Sequence, residues 1–303
     1  VLSGGGLKGF ALIGFMKALE ENKIKPSGIS GSSIGAIFAV LISIGYSHSE
    51  LYDFIENFNY EDFSEINITS LFDDGGLETG NKIIRLLKLM IKNKLNSPNV
   101  TFLEHYEKTK VWVVINSVCV NKQQTEYFSY KTHPNMYIHS ALRMSMSLPF
   151  WFKPVIWNDC YYVDGGLLDN FPIKPFIDSN IPKHEIVGIK LQSHNLYGNK
   201  VDITQNLMNY SLSLWNCIYN EINKQQILNY KHYTIFYIVE ESISAFTPEL
   251  TLESKLKLYK EGYEKSLKEI KKYIEKETEK VLENILSTVT FNSVDITVVV
   301  DTL

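Results

Sequence analysis

The segment Gly31-Ser32-Ser33-Ile34-Gly35 constrains this chain more than any other. It has the form G-x-S-x-G, in which a serine occupies a sharp turn from a strand into a helix. Such a turn strains the serine backbone and lifts its Oγ clear of the fold. Gly31 and Gly35, two positions to either side, let strand and helix pass closely enough to make it. The flanks agree. Ser27-Gly28-Ile29-Ser30 suits a short strand, Ile34 to Ile44 is an apolar run of helix length, and Gly45 suits its C-cap. Ser33 then begins a helix, whose N-terminus adds partial positive charge. Alone, the pattern also fits a Ser/Gly-rich loop before a buried helix, so other segments must decide.

A second glycine cluster, Gly4-Gly5-Gly6-Leu7-Lys8-Gly9, follows the strand-like Val1-Leu2-Ser3. A helical pattern comes next, from Phe10 to about Glu21, with Ala11, Leu12, Phe15, Met16 and Leu19 at helical spacing. A glycine loop between strand and helix exposes backbone N–H groups that hold an anion. Gly4, Gly6 and Gly9 also satisfy the dinucleotide pattern G-x-G-x-x-G, but that use needs an acidic residue at the end of the second strand. No Asp or Glu lies between Asn22 and Tyr46, and no G-K-[ST] closes a phosphate loop. An oxyanion hole is the better reading of the loop. Lys8 has two uses: attracting anionic head groups, or covering a surface.

The third segment is Asp164-Gly165-Gly166-Leu167-Leu168-Asp169-Asn170-Phe171-Pro172, after the strand-like Tyr161-Tyr162-Val163. An Asp at a strand end before two glycines presents its carboxylate from a tight turn. By itself it is also an ordinary D-G turn.

Together the three segments resemble the patatin-like phospholipase family, whose pattern is G-G-G-x-[KR]-G, then G-x-S-x-G, then D-G-[GA]. No motif position departs from it. Thr101 to Tyr106, Ala141 to Pro149 and Asn170-Phe171-Pro172 look like further landmarks, and the resemblance runs from about Val1 to Lys272. It implies a three-layer α/β fold, a mainly parallel central sheet flanked by helices. It also implies a lipid acyl hydrolase with Ser33 as nucleophile, Asp164 as general base and Gly4 to Gly9 as oxyanion donors. Gly31, Gly35, Gly165 and Gly166 would support the two turns. The implied partner is a phospholipid or other acyl lipid, met by transient contact with a membrane surface. Acyl transfer to another acceptor uses the same residues, and a silent lipid-binding module keeps the fold without the activity.

A Ser–Asp pair makes a physical demand. A free Asp has a pKa of about 3.9, and a base works best near the operating pH. Asp164 must be dehydrated enough to raise its basicity, with Tyr161, Tyr162 and Phe171 as a candidate apolar wall, or it must take the proton only as attack proceeds. The competing idea is a triad with a histidine, but His48, His105 and His133 lie in no evident motif.

The chain has 303 residues, 45% of them hydrophobic, enough for one large α/β domain, and no linker divides it. We expect one domain over 1–286 and an extension of unknown role over 287–303. A net charge of −4 argues against nucleic acid. The three cysteines, Cys119, Cys160 and Cys217, form no C-x-x-C pair and fit a reducing, intracellular setting without zinc. No ligand set suggests a metal, and no cofactor is implied. The chain starts at Val1 without Met and reads as trimmed, so it says little about targeting.

Lys110–Val120 and Thr125–Tyr130 are predicted as a strand pair with Asn121-Lys122-Gln123-Gln124 as its turn, and Glu185–Leu191 and Tyr233–Val239 as later strands. Helices are predicted over Ser49–Asn59, Gly80–Leu95, Pro134–Met146, Thr204–Asn229 and Leu252–Leu286. Alternation of this kind predicts a mainly parallel sheet covered on both faces. Two segments suit either core or lipid. Ile83 to Ile91 is apolar with Arg85, Lys88, Lys92 and Lys94 at its border, and Phe150-Trp151-Phe152 lies between two prolines.

Overall fold

The structure is a computed structural model and describes residues 1–59, 62, 64–192, 207–239 and 250–293. In chain order its elements are α1 (Phe10–Glu21), β1 (Gly28–Gly31), α2 (Ile34–Ser43), α3 (His48–Asn57), α4 (Ile68–Asp74), β2 (Gly76–Glu78) and α5 (Asn81–Leu95). There follow α6 (Phe102–Thr109), β3 (Trp112–Cys119), β4 (Gln124–Phe128), α7 (Ile138–Ser145), β5 (Phe150–Phe152), β6 (Val155–Trp157) and β7 (Cys160–Asp164). The last are α8 (Lys174–Asp178), β8 (Val187–Gln192), α9 (Leu207–Tyr230), β9 (Thr234–Val239) and α10 (Leu252–Ser293).

Helix starts follow local chemistry. Ser47 opens α3 and Thr101 opens α6, each in a capping box with the Glu three residues on. α2 ends as expected, with Gly45 at φ 82°. The predicted helix over Pro134–Met146 begins only at Ile138. The carbonyls of Pro134 and Met136 instead accept the Leu103 and Phe102 N–H groups at the start of α6. The start predicted at Thr204 lies outside the described residues. α10 runs past Leu286 to Ser293 without a break, and residues 294–303 lie outside the described part.

One sheet organises the molecule. β8 and β9 pair in parallel, and the segment Val1–Ser3 bridges β8 and β1 through Leu2. β1 pairs in parallel with β3. This half matches the predicted parallel sheet. Beyond it, β4 and β7 each run antiparallel to β3, and β6 antiparallel to β7, so the sheet as a whole is mixed. Seven consecutive residues of β3, Val113 to Cys119, are buried. Successive side chains point to opposite faces, so both faces of the sheet are covered.

The register of β3 fixes the site. Ile115 pairs with both Gly31 and Phe128, and Ser117 with both Asp164 and Glu126. A strand has two edges. With β4 on one of them, β1 and β7 share the other and run toward each other. Their ends, at Gly31 and Asp164, lie two register positions apart on β3, about 7 Å along the strand. Asn116 sits between them.

Candidate active site

The elbow forms as its sequence predicts. Ser33 follows β1, caps α2 and holds φ 53° and ψ −124°. A non-glycine residue there costs roughly 1–3 kcal/mol, so the surroundings must impose it. A side chain at Gly31 would stand 2.2 Å from the Gly35 carbonyl oxygen, and one at Gly35 2.5 Å from the Leu2 carbonyl oxygen. Only glycine permits that crossing. Ser32 is fully buried, and its Oγ has no hydrogen-bond partner among the described residues. Ser33 is half-buried and lines the cavity described below.

Asp164 ends β7 with its carboxylate almost wholly buried. Burial pushes its pKa up from 3.8 to about 6, opposed by a side-chain hydrogen bond from Ser33 and by the Gly166 N–H, at 2.7 Å from Oδ1. The structure thus brings the two predicted residues together. The expected aromatic wall is different. Tyr161 is 46% exposed, and Tyr162 turns its hydroxyl to Glu126 among Phe128 and Trp157. Asp164 is dehydrated by its place at the junction of two strand ends under α7. No described histidine stands between Ser33 and Asp164: His105 bonds Ser43, His48 bonds Glu20, and His133 packs on Phe128.

Four residues support the pair: Ser145 and Ser147 in the Ala141–Pro149 landmark, Asn170 in the Asp164 segment, and Tyr219, which lies in no motif. Ser145, at the end of α7, accepts the Ser33 N–H at 2.9 Å, and two residues on the Ser147 carbonyl accepts the Asp164 N–H at 2.8 Å. One helix end therefore holds the backbone of both residues. Asn170 is wedged between the glycine loop and the Asp turn. Its carbonyl accepts the Gly4 N–H at 3.3 Å, and its Nδ2 donates to the Tyr219 hydroxyl at 2.7 Å. A cap or a hydrogen bond made across the fold has no spacing signature, which is why sequence reasoning missed the roles of Ser145 and Tyr219. Replacing Ser145 by Ala should lower kcat about tenfold with little change in KM, and should destabilise by about 1 kcal/mol, because Ser33 loses one acceptor. Unchanged kcat in steady-state assays would remove Ser145 from this role.

In the glycine loop, the Gly4 N–H goes to Asn170 and the Lys8 N–H to the Gly5 carbonyl. Gly5, Gly6 and Leu7 are left facing the start of a short 3₁₀ turn over Gly6–Gly9, where N–H groups lack partners within the turn. Gly6, Leu7 and Gly9 border the same cavity as Ser33. The Lys8 side chain is buried, which corrects its placement at a surface.

That cavity holds about 250 Å³. Ile34, Ile37, Phe38 and Leu41 of α2 form one wall, Ile83, Leu86, Leu87 and Met90 of α5 another, and Met146, Leu148, Trp151 and Phe152 a third. Among the described residues that line it, Ser33 carries the one hydroxyl. The two segments that sequence left between core and lipid both contribute side chains to this cavity.

A buried Asp against an elbow serine, beside an apolar cavity on a flanked mixed sheet, places the chain among α/β proteins built on a serine elbow. Residues 1–177 match the family described as patatin-like phospholipase, and the chain belongs to that family. It is 35% identical to a "probable lipid hydrolase" of Invertebrate iridescent virus 6 over 57% of this chain and 61% of that protein. It is also 32% identical to an uncharacterised protein of Acanthamoeba polyphaga mimivirus, over 88% and 91% of the two. The crystal structure of VipD from Legionella pneumophila superposes with a TM-score of 0.63 at 17% identity, covering 90% of this chain and 66% of that one, a likeness of fold alone. The matched part thus spans somewhat less than two thirds of the viral lipid hydrolase and of VipD.

Proposed function

We propose that the protein hydrolyses carboxylic esters of phospholipids or related acyl lipids through a Ser33–Asp164 dyad and an acyl-serine intermediate. The observation that carries this reading is the cavity. A hydroxyl in the wall of an otherwise apolar chamber suits an acyl chain whose ester carbonyl must stop at that hydroxyl.

The chemistry follows from the groups present. Ser33 Oγ attacks the ester carbonyl carbon as its proton passes to the Asp164 carboxylate. The carbonyl oxygen becomes an oxyanion, and the N–H groups of Gly5, Gly6 and Leu7 are its donors. Collapse of the tetrahedral intermediate breaks the ester C–O bond. The leaving alcohol takes the proton from Asp164, and the acyl group remains on Ser33. A water then gives its proton to Asp164 and attacks the acyl carbon. The second tetrahedral intermediate collapses with cleavage of the acyl–Oγ bond, Ser33 Oγ takes the proton back from Asp164, and the fatty acid is released. A base with a pKa of about 6 is mostly ionised at neutral pH and still basic enough to accept the proton.

Incubation with a panel of diacyl and monoacyl phospholipids, followed by mass spectrometry, tests the reading. Free fatty acid and the matching deacylated lipid should appear, with ¹⁸O from labelled water in the acid. Transfer of the acyl group to a lipid acceptor without ¹⁸O uptake would point to an acyltransferase. No product from any ester would leave a lipid-binding module.

A further inference from the structure

The cavity wall formed by α5 has an outer side that the catalytic reading does not use. α5 carries five cations, Lys82, Arg85, Lys88, Lys92 and Lys94, and no acidic residue, in a protein of net charge −4. Two are committed within the fold. Lys82 donates to the Ser64 carbonyl, and Lys94 pairs with Glu50 at 2.7 Å. Arg85, Lys88 and Lys92 make no ion pair among the described residues. They recur at helical spacing on one face, with Leu89 beside them 54% exposed. Lys88 also lies near His139, whose pKa burial lowers to about 4 with a smaller contribution from Lys88. His139 in turn stacks on Tyr137, which is 46% exposed. An aliphatic and an aromatic side chain therefore stand among unpaired cations on the solvent side of the helix whose other side lines the acyl cavity.

We infer that the outer face of α5, with Tyr137, docks on an anionic lipid surface. Charge favours this occupant: a basic stripe without acids on an otherwise acidic protein matches phosphatidylserine-type head groups. The exposed Leu89 and Tyr137 favour lipid over nucleic acid, because they enter the head-group boundary where phosphate backbones offer them nothing. Geometry gives the contact a use. A helix with its side chains is about 10 Å across, so docking on one side of α5 brings the cavity on its other side within one helix diameter of the lipid. The inference rests on the acyl-lipid reading for its purpose, and its test is read separately from hydrolysis.

The test is sedimentation with vesicles of phosphatidylcholine alone and of phosphatidylcholine with phosphatidylserine. The native protein should prefer the anionic vesicles and lose that preference as salt rises. Each cation near such a surface contributes roughly fivefold in partitioning, so the triple variant Arg85→Gln, Lys88→Gln, Lys92→Gln should bind about 100-fold more weakly. A matched triple variant on the outer part of α10, Lys268→Gln, Lys271→Gln, Lys276→Gln, should bind as the native protein does. Turnover of a short-chain, water-soluble ester should be the same in all three, which separates a lost surface from a lost site. Equal native binding to both vesicle types, an α5 variant that binds like the native protein, or equal loss in the α10 variant would overturn the inference. So would α5-dependent binding to duplex DNA with none to vesicles.

Discussion

Ser33→Ala should abolish labelling by a fluorophosphonate probe and lower ester hydrolysis by about 10⁴–10⁶-fold, while Ser32→Ala keeps both. The contrast is sharp because the two serines are neighbours with opposite environments. Ser32 is fully buried, whereas Ser33 stands at positive φ and opens into the apolar cavity. The oxyanion donors and the cavity survive in Ser33→Ala, so a small residual rate is expected and binding should change little. Intact-mass and peptide mapping of the labelled protein read the result directly. Label persisting in Ser33→Ala would assign the nucleophile elsewhere.

Asp164→Asn should lower kcat about 10⁴-fold and raise stability at neutral pH. Folding raises the Asp164 pKa from 3.8 to about 6, so the folded state holds this proton more tightly than the unfolded chain does. The group therefore favours folding most below about pH 4 and costs increasing stability as pH rises through 6, where the buried carboxyl must ionise. A shift of about two units corresponds to roughly 3 kcal/mol. Asn carries no such cost. The variant should melt higher than the native protein near pH 7, and the difference should close on acidification. The native kcat/KM profile should lose activity on an acid limb near pH 6 rather than near 4. A variant that melts lower at neutral pH, or an acid limb at the ordinary carboxylate value, would show that burial does not set the behaviour of this residue.

Much of the site was legible because its parts obey local rules. The glycines of the elbow answer to steric limits within five residues. The glycine loop and the Asp turn likewise carry their geometry in short spacings. The helical repeat of α1, α2 and α5 was visible for the same reason. What sequence could not supply came from contacts made across the fold. Ser145 is one serine among many until α7 sets its hydroxyl on the Ser33 N–H. Tyr161 and Tyr162 looked like shelter for Asp164 because they are adjacent in sequence. Alternation along β7 sends Tyr161 outward, and the Glu126 carboxylate draws the Tyr162 hydroxyl. Of the antiparallel half, the β3–β4 pair was legible from its turn, but the pairing of β7 with β3 and β6 was missed, and β6 is only three residues long, too short for a period to show. The same brevity hid β5, whose partner β2 is also three residues long.

The head-on meeting of β1 and β7 along a single edge of β3 bears on how the protein comes into being. Ser33 and Asp164 lie far apart in the chain, and no local element holds them together. Their encounter waits for two non-local pairings on one strand, and closing such long loops is the slow part of folding. Helices such as α2 need only neighbouring residues and can form early. A chain still being synthesised, released before β7 has emerged, contains the complete elbow and yet has no partner for it. On the proposed mechanism, esterase activity is expected to appear only once both pairings on β3 have formed.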